Sequence, residues 1–213
     1  MVPARLTELT ERFVSLVRRL GGRDASATAT ALLAAWAEPS RRYHDLGHLR
    51  DGLARLDEAA PRDGDRDRVE AALWFHDAVY DPRAGDNEAR SADWARRSLG
   101  ELGVPHDVVE DVARLVMLTR QHQATDPAGR LLCDVDLSIL GRSPAEFDTY
   151  DRRVREEYAW VPEASYREAR RAVLEGFLRR HPLYQTDHFR DRYEAAARAN
   201  LARALAALPP FAT

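Results

Sequence analysis

Residues 6–20 read LTELTERFVSLVRRL, and the spacing of their apolar side chains decides the fold class. The apolar positions recur three and four residues apart, at Leu6, Leu9, Phe13, Leu16, Val17 and Leu20. Gly21-Gly22 follows and ends the pattern. Side chains at this spacing lie on one face of an α-helix, and a glycine after the last apolar position ends it. The stretch therefore predicts an amphipathic helix that packs on a core through its apolar face.

The same spacing continues along nearly the whole chain. It predicts further helices over about 24–37, 41–60, 67–80, 87–102, 106–122, 131–140, 144–158, 163–180 and 187–207. Alternating strand patterns, internal repeats and low-complexity linkers are missing from the sequence. We therefore predict an all-α fold, a single-domain bundle of roughly nine helices over residues 1–213. Its core spans about 25–160, and the C-terminal helices 163–207 pack on it.

The composition excludes several chemistries. The chain has 213 residues and a formal net charge of −3, and all 32 of its Lys and Arg residues are arginine. Without lysine there is no P-loop lysine, no Schiff base to pyridoxal phosphate and no lysine general base. One cysteine excludes a four-cysteine zinc site and an intrachain disulfide. The slightly acidic balance gives no indication of a nucleic-acid partner.

The apolar runs are short. The longest one, Ala31 to Ala37, is far below the length of a membrane span, and the charged N-terminus lacks a secretory apolar region. With a single Cys133, we expect a cytoplasmic protein that has no membrane partner. The sequence leaves the formation of a homo-oligomer open.

Three stretches place histidine and aspartate in apolar surroundings. They are residues 41–48, 74–81 and 132–140, and their polar members are His44, His48, His76, Asp77, Asp134 and Asp136. His44 and His48 are four residues apart, so on a helix both would project from one face. An ionised carboxylate in an apolar run needs a partner. The spacing alone does not choose between the two later aspartates, because residues two apart on a helix point in very different directions.

Imidazole nitrogens and carboxylate oxygens together suit a divalent metal. Such a set accepts Mn, Mg, Fe, Co, Ni or Zn and does not select among them. An ion with few protein ligands keeps water, which becomes a nucleophile near neutral pH. We expect one or two ions at these residues.

The order His, His-Asp, Asp resembles the HD superfamily of metal-dependent phosphohydrolases. More narrowly, the chain resembles a bacterial family of predicted HD-superfamily phosphohydrolases whose substrate is unassigned. The matching pieces span about 38–201 and include Arg41-x-Tyr43-His44-x₃-His48, residues 75–81, Asp86-Asn87-Glu88-x₂-Ser91, residues 134–141, Glu157-Tyr158 and Ala197-Arg198-x-Asn200-Leu201. The resemblance implies an HD-type helical bundle that hydrolyses a small phosphorylated substrate.

A more distant similarity, to the class I cyclic-nucleotide phosphodiesterases, implies individual roles. It makes His48, His76, Asp77 and Asp136 the metal ligands, and it favours Asp136 over Asp134. It makes His44 the general acid toward the leaving oxygen. His122 falls one residue away from the spacing in those enzymes, so its part in the site stays open. A cyclic-nucleotide substrate is not implied.

Two further residues are predicted to take part in catalysis. Arg41, three residues before His44, could bind a phosphate oxygen through its planar guanidinium. The alternative is an ordinary surface arginine. Glu88 could hydrogen-bond a metal-bound water or a ligand histidine. The alternative is favourable placement of an acidic residue at a helix N-terminus.

These residues together predict a metal-dependent phosphohydrolase. Two alternatives remain at this point. One is an oxygenase with two irons, which would need further histidines such as His106 or His122. The other is a module that binds a metal or a nucleotide without catalysis.

Overall fold

The computed structural model describes residues 4–59 and 65–208, and these residues form ten α-helices and one 3-10 helix. The α-helices are α1 Ala4–Arg19, α2 Ser26–Trp36, α3 Leu46–Ala59, α4 Asp65–Phe75, α5 Asn87–Glu101, α6 His106–Leu118, α7 Pro127–Asp136, α8 Pro144–Glu157, α9 Glu163–Leu178 and α10 Asp187–Ala207, and the 3-10 helix is Leu137–Gly141. No strand occurs in these ranges. The predicted all-α fold is confirmed, with slightly more helices than the nine expected.

Helix α4 lies at the centre of the molecule. Every residue from Val69 to Phe75 is buried, and α4 packs against α1, α3, α5, α6 and α7. A helix that is buried on all sides carries apolar residues around its whole circumference. The ring of Phe13 in α1 meets Trp74 edge to face, with centroids 5.0 Å apart. Helix α1 therefore supplies core residues that lie outside the range 25–160 predicted for the core.

The C-terminal helices close on the 3-10 helix. The Asn200 amide in α10 donates to the carbonyl oxygens of Leu140 and Arg142, at 2.9 Å each. A Cβ on Gly141 would lie 2.5 Å from the Cβ of Tyr193 and 2.7 Å from its carbonyl oxygen. Glycine at this position therefore allows α10 to approach the 3-10 helix closely. Helix α9 packs on α10.

Several helix ends differ from those predicted. The third helix begins at Leu46 rather than near residue 41, and the fourth ends at Phe75 rather than near residue 80. The sixth ends at Leu118, and the seventh begins at Pro127, inside a segment predicted to be a loop. His44, His76, Asp77 and His122 consequently lie on turns beside helix ends. Among residues 4–59 and 65–208, no helix has the length and apolar character needed to cross a membrane.

Candidate metal centre

Three of the predicted ligands, carried by separate segments, converge at one point. The Nε2 atoms of His48 and His76 lie 3.1 Å apart, and Asp136 Oδ1 lies 3.0 Å from the first and 3.5 Å from the second. His48 is in the first turn of α3, His76 follows α4 and Asp136 ends α7. Both histidines are buried. This trio could hold a metal ion.

The distances within the trio fit a shared ion. Nitrogen and oxygen ligands bind ions such as Zn²⁺ and Mg²⁺ at about 2.1 Å, so two ligand atoms at a right angle lie about 3.0 Å apart. The Nδ1 atom of His76 lies 2.9 Å from the Leu73 carbonyl oxygen and donates to it. In the neutral ring, this contact holds the proton on Nδ1 and leaves the Nε2 lone pair for a metal ion.

Asp77 lies beside the trio rather than within its tightest part. Its Oδ2 is 3.1 Å from His76 Nε2 and 3.6 Å from His48 Nε2. The group of mutually close ligand atoms consists of His48, His76 and Asp136. The four residues predicted as ligands thus lie close together, with Asp77 outside the group whose ligand atoms are all mutually close.

The electrostatics of the cluster favour a cation. Burial acts to lower the pKa of His76, but the charges of Asp77 and Asp136 outweigh it and hold that pKa well above its usual range. Burial acts to raise the pKa of Asp136, but His76, His122 and His48 hold it well below its usual range. The C-terminal ends of α4 and α7 point at the same place, and helix C-termini carry partial negative charge.

His44 and Glu157 form a pair at the edge of the cluster. His44 Nδ1 lies 2.7 Å from Glu157 Oε2, and the Tyr80 hydroxyl donates to the same oxygen at 2.8 Å. The other oxygen, Oε1, accepts the backbone N–H groups of Arg42, Tyr43 and His44 at 2.8 to 3.0 Å. The carboxylate therefore fixes both the backbone and the ring of His44.

The same pair shifts two pKa values. Burial acts to lower the pKa of His44, but the hydrogen bond to Glu157 and the charges of Asp77 and Glu157 raise it above 6.5. Burial acts to raise the pKa of Glu157, but the hydrogen bond and charge of His44 lower it to about 2. The raised pKa favours the imidazolium form of His44, and its Nε2 is free of the Glu157 contact.

The structure gives Arg41 a different role from the one predicted. Its guanidinium is buried and donates to the carbonyl oxygens of Asp77 at 2.6 Å, Ala78 at 2.9 Å and His44 at 3.0 Å. Those hydrogen bonds join the two segments that carry His44 and Asp77. A guanidinium whose N–H groups donate to three carbonyl oxygens is not free to make a bidentate contact with a phosphate. Arg41 is a positioning residue rather than a phosphate ligand.

The two aspartates of the 132–140 stretch separate as the phosphodiesterase similarity implied. Asp134 is fully buried and points away from the cluster, where its carboxylate accepts the N–H groups of Gln185 and Thr186 and the Thr186 hydroxyl. Asp136 points into the cluster. Asp134 therefore joins the C-terminal region to α7, and these donors occupy its carboxylate.

His122, whose part was left open, lies at the cluster. Its Nε2 is 2.8 Å from Asp136 Oδ2, the carboxylate oxygen that faces away from His48. Its backbone has a φ of 50°, a left-handed conformation that is uncommon outside glycine and asparagine. The sequence did not reveal this contact, and it gave no role to Glu157 or Tyr80. The available signal was that Tyr80 and Glu157 both fall within the pieces that match the family resembled.

A cleft of about 1020 Å³ opens onto the cluster. Asp77, Asp136, His44 and His122 line its floor, and one face of α9 forms a wall. Glu88, in the first turn of α5, also lines the cleft, and its catalytic role stays a prediction. His106 is exposed at the start of α6 and does not line the cleft.

Comparison of the chain with protein-family models, with curated proteins and with solved structures finds no match.

Proposed function

We propose that this protein is a divalent-metal-dependent phosphohydrolase that acts on a small phosphomonoester or nucleotide. The observation that carries the proposal is the convergence of His48, His76 and Asp136 beside a cleft that Asp136 and His44 line. The single buried Cys133 fits a reducing compartment, and we infer a cytoplasmic location.

The donor set suits a divalent ion, which His48, His76 and Asp136 would hold, with Asp77 as the additional ligand. When bound, such an ion polarises a phosphoryl oxygen and lowers the pKa of an attacking water. The remaining chemistry belongs to the protein. His44 donates its Nε2 proton to the leaving oxygen, and Glu157 keeps that imidazole charged and oriented. Tyr80 and the backbone N–H groups hold Glu157 in place.

The ligand assignment is tested by Asp136→Asn, which keeps the shape of the side chain, and by His76→Ala. We expect both to lose bound metal by elemental analysis and to lose hydrolysis of p-nitrophenyl phosphate by at least about a hundredfold. His106→Ala, an exposed histidine outside the cleft, is the matched control. Full metal content and full activity in Asp136→Asn would contradict the assignment.

His44→Asn separates catalysis from metal binding. We expect this variant to keep its metal and to lose turnover by a factor of about 10² to 10⁴, because general acid catalysis contributes that much. Loss of metal together with turnover would instead make His44 a ligand.

An oxygenase with two irons would need more protein ligands at the site. Sites with two irons normally use six protein ligands, and His122 joins the cluster whereas His106 does not. Metal identity and O₂ uptake after aerobic purification distinguish the two reactions. We expect no substrate-dependent O₂ uptake.

A further inference from the structure

Helix α9 runs along the cleft and connects two different ends of it. Its 16 residues span about 24 Å. Near its start, the ring of Tyr166 lies 6.4 Å from that of Tyr158, which follows Glu157. Near its end, the ring of Phe177 lies 6.4 Å from that of His122. One end of the cleft therefore adjoins the His44–Glu157 pair, and the other adjoins the His122–Asp136 pair.

Two arginines without an acidic partner line the His122 end. Arg180 donates to the carbonyl oxygens of Gln121 at 2.8 Å and His122 at 3.0 Å, and it lies over the Phe177 ring. A guanidinium has five N–H donors, so three remain. Arg120 is exposed and also lines the cleft. In the described part of the chain, neither side chain forms an ion pair with a carboxylate.

The other arginines of the cleft wall are neutralised. Arg170 pairs with Asp151 at 2.6 Å, and Arg179 pairs with Glu175 at 3.7 Å. The uncompensated positive charge of the wall is thus concentrated at Arg120 and Arg180. This charge lies at the His122–Asp136 end of the cleft. His44, which would protonate the leaving oxygen, lies at the other end. Arginine donors in a concave site bind phosphate and carboxylate groups strongly.

We propose that Arg120 and Arg180 bind a second anionic group of the substrate, so that the preferred substrate is a phosphoester carrying a further phosphate or carboxylate. The identity of the first group, the phosphoester that is hydrolysed, rests on the proposed function. The two arginines add a reason why the protein would bind some phosphoesters more tightly than others. The cleft is large enough for both groups, because its volume of about 1020 Å³ is that of a site for a drug-sized ligand.

The test compares two probes with the same carbon chain, propylphosphonate and propane-1,3-bisphosphonate, whose C–P bonds are not hydrolysed. Isothermal calorimetry on the Mn²⁺-loaded full-length protein measures the Kd of each. We expect the bisphosphonate to bind at least about tenfold more tightly. Arg120→Gln should remove most of that preference while leaving the Kd of propylphosphonate unchanged. Arg180→Gln should act in the same direction.

Arg97→Gln is the matched control, because Arg97 is exposed on α5 and does not line the cleft. It should keep the wild-type preference. Equal affinity of the wild type for both probes, or an unchanged preference in Arg120→Gln, would overturn the proposal. Calorimetry does not depend on turnover. The protein could prefer the probe with two anionic groups through Arg120 and yet hydrolyse no phosphoester. That result would support the anion site and contradict the proposed reaction.

Discussion

Glu157 has more contacts at the candidate site than any ligand that the sequence predicted. Its two oxygens take His44, Tyr80 and three consecutive backbone N–H groups. A buried carboxylate with this many donors is stabilised in its charged form. Removing its charge should therefore affect both folding and the state of His44.

For Glu157→Gln we expect a stability defect that depends on pH. The pKa of Glu157 falls from 4.5 to about 2 on folding, so the carboxylate stabilises the fold above pH 4.5, and that contribution disappears as the pH falls toward 2. At pH 7 it amounts to about 3 kcal/mol. Urea unfolding at pH 7, 5 and 3 should show the gap between wild type and variant narrowing below pH 4.5. A gap of constant size at all three pH values would contradict this account.

Arg41 should behave as a structural residue in kinetics. Arg41→Gln leaves three carbonyl oxygens without their charged donor, and we expect it to lower the free energy of unfolding by about 3 kcal/mol. Metal affinity should fall as well, because the Asp77 segment loses its support. Elemental analysis and thermal unfolding measure both effects. An unchanged melting temperature combined with a raised KM alone would restore Arg41 as a phosphate ligand.

At the scale of elements, periodicity identifies the helices but not all of their ends. Helix α3 begins at Leu46 because the Asp45 carboxylate accepts the Gly47 and His48 N–H groups, and because Glu157 takes the N–H groups of residues 42–44. The second contact joins residues more than a hundred positions apart. A local pattern contains no information about it, so His44 was placed on a helix that does not include it.

Helix α8 offers a local signal that the sequence does contain. Ser143, Pro144 and Glu146 form a capping box with proline at the first helical position. Ser143→Ala removes the acceptor for the Glu146 N–H and should destabilise the protein by about 1 kcal/mol. Ser143→Thr, which keeps a hydroxyl that can accept from the Glu146 N–H and donate to the Glu146 carboxylate, should stay within a few tenths of a kcal/mol of the wild type. Chemical denaturation at pH 7 compares the three proteins, and equal stability of all three would mean that the cap contributes nothing.

At the scale of the whole molecule, the family resemblance identified the four candidate ligands. The contacts that surround them depend on three-dimensional packing and could not be predicted from the sequence. His48, His76, Asp77 and Asp136 meet although they come from three segments. Glu157 was missed as a partner, and His122 was left open, because their contacts depend on how α8 and the turn after α6 fold over the cluster. The burial of Arg41 against distant carbonyl oxygens is likewise invisible in the sequence, which left only a phosphate ligand or a surface arginine as its predicted roles.

Two glycine-to-alanine variants test how closely α10 packs on the 3-10 helix. Gly141→Ala places a methyl group 2.5 Å from Tyr193 Cβ, so α10 must shift, and we expect a loss of about 1–3 kcal/mol. Gly100→Ala, on the exposed side of α5, meets nothing within 4 Å and should stabilise the protein by about 0.5–1 kcal/mol. Thermal unfolding of both variants should give shifts of opposite sign. Shifts of the same sign would show that α10 tolerates the displacement.

The order of these parts along the chain has a consequence during synthesis. All four candidate ligands precede residue 137, whereas the α9 wall and the partners of Asp134 come after residue 162. Chains emerge from the ribosome N-terminal end first. The nascent protein thus contains all four candidate ligands before the α9 wall of the cleft has been made. Helix α9 then adds a wall of the cleft, and Gln185 and Thr186 give the buried Asp134 carboxylate its donors.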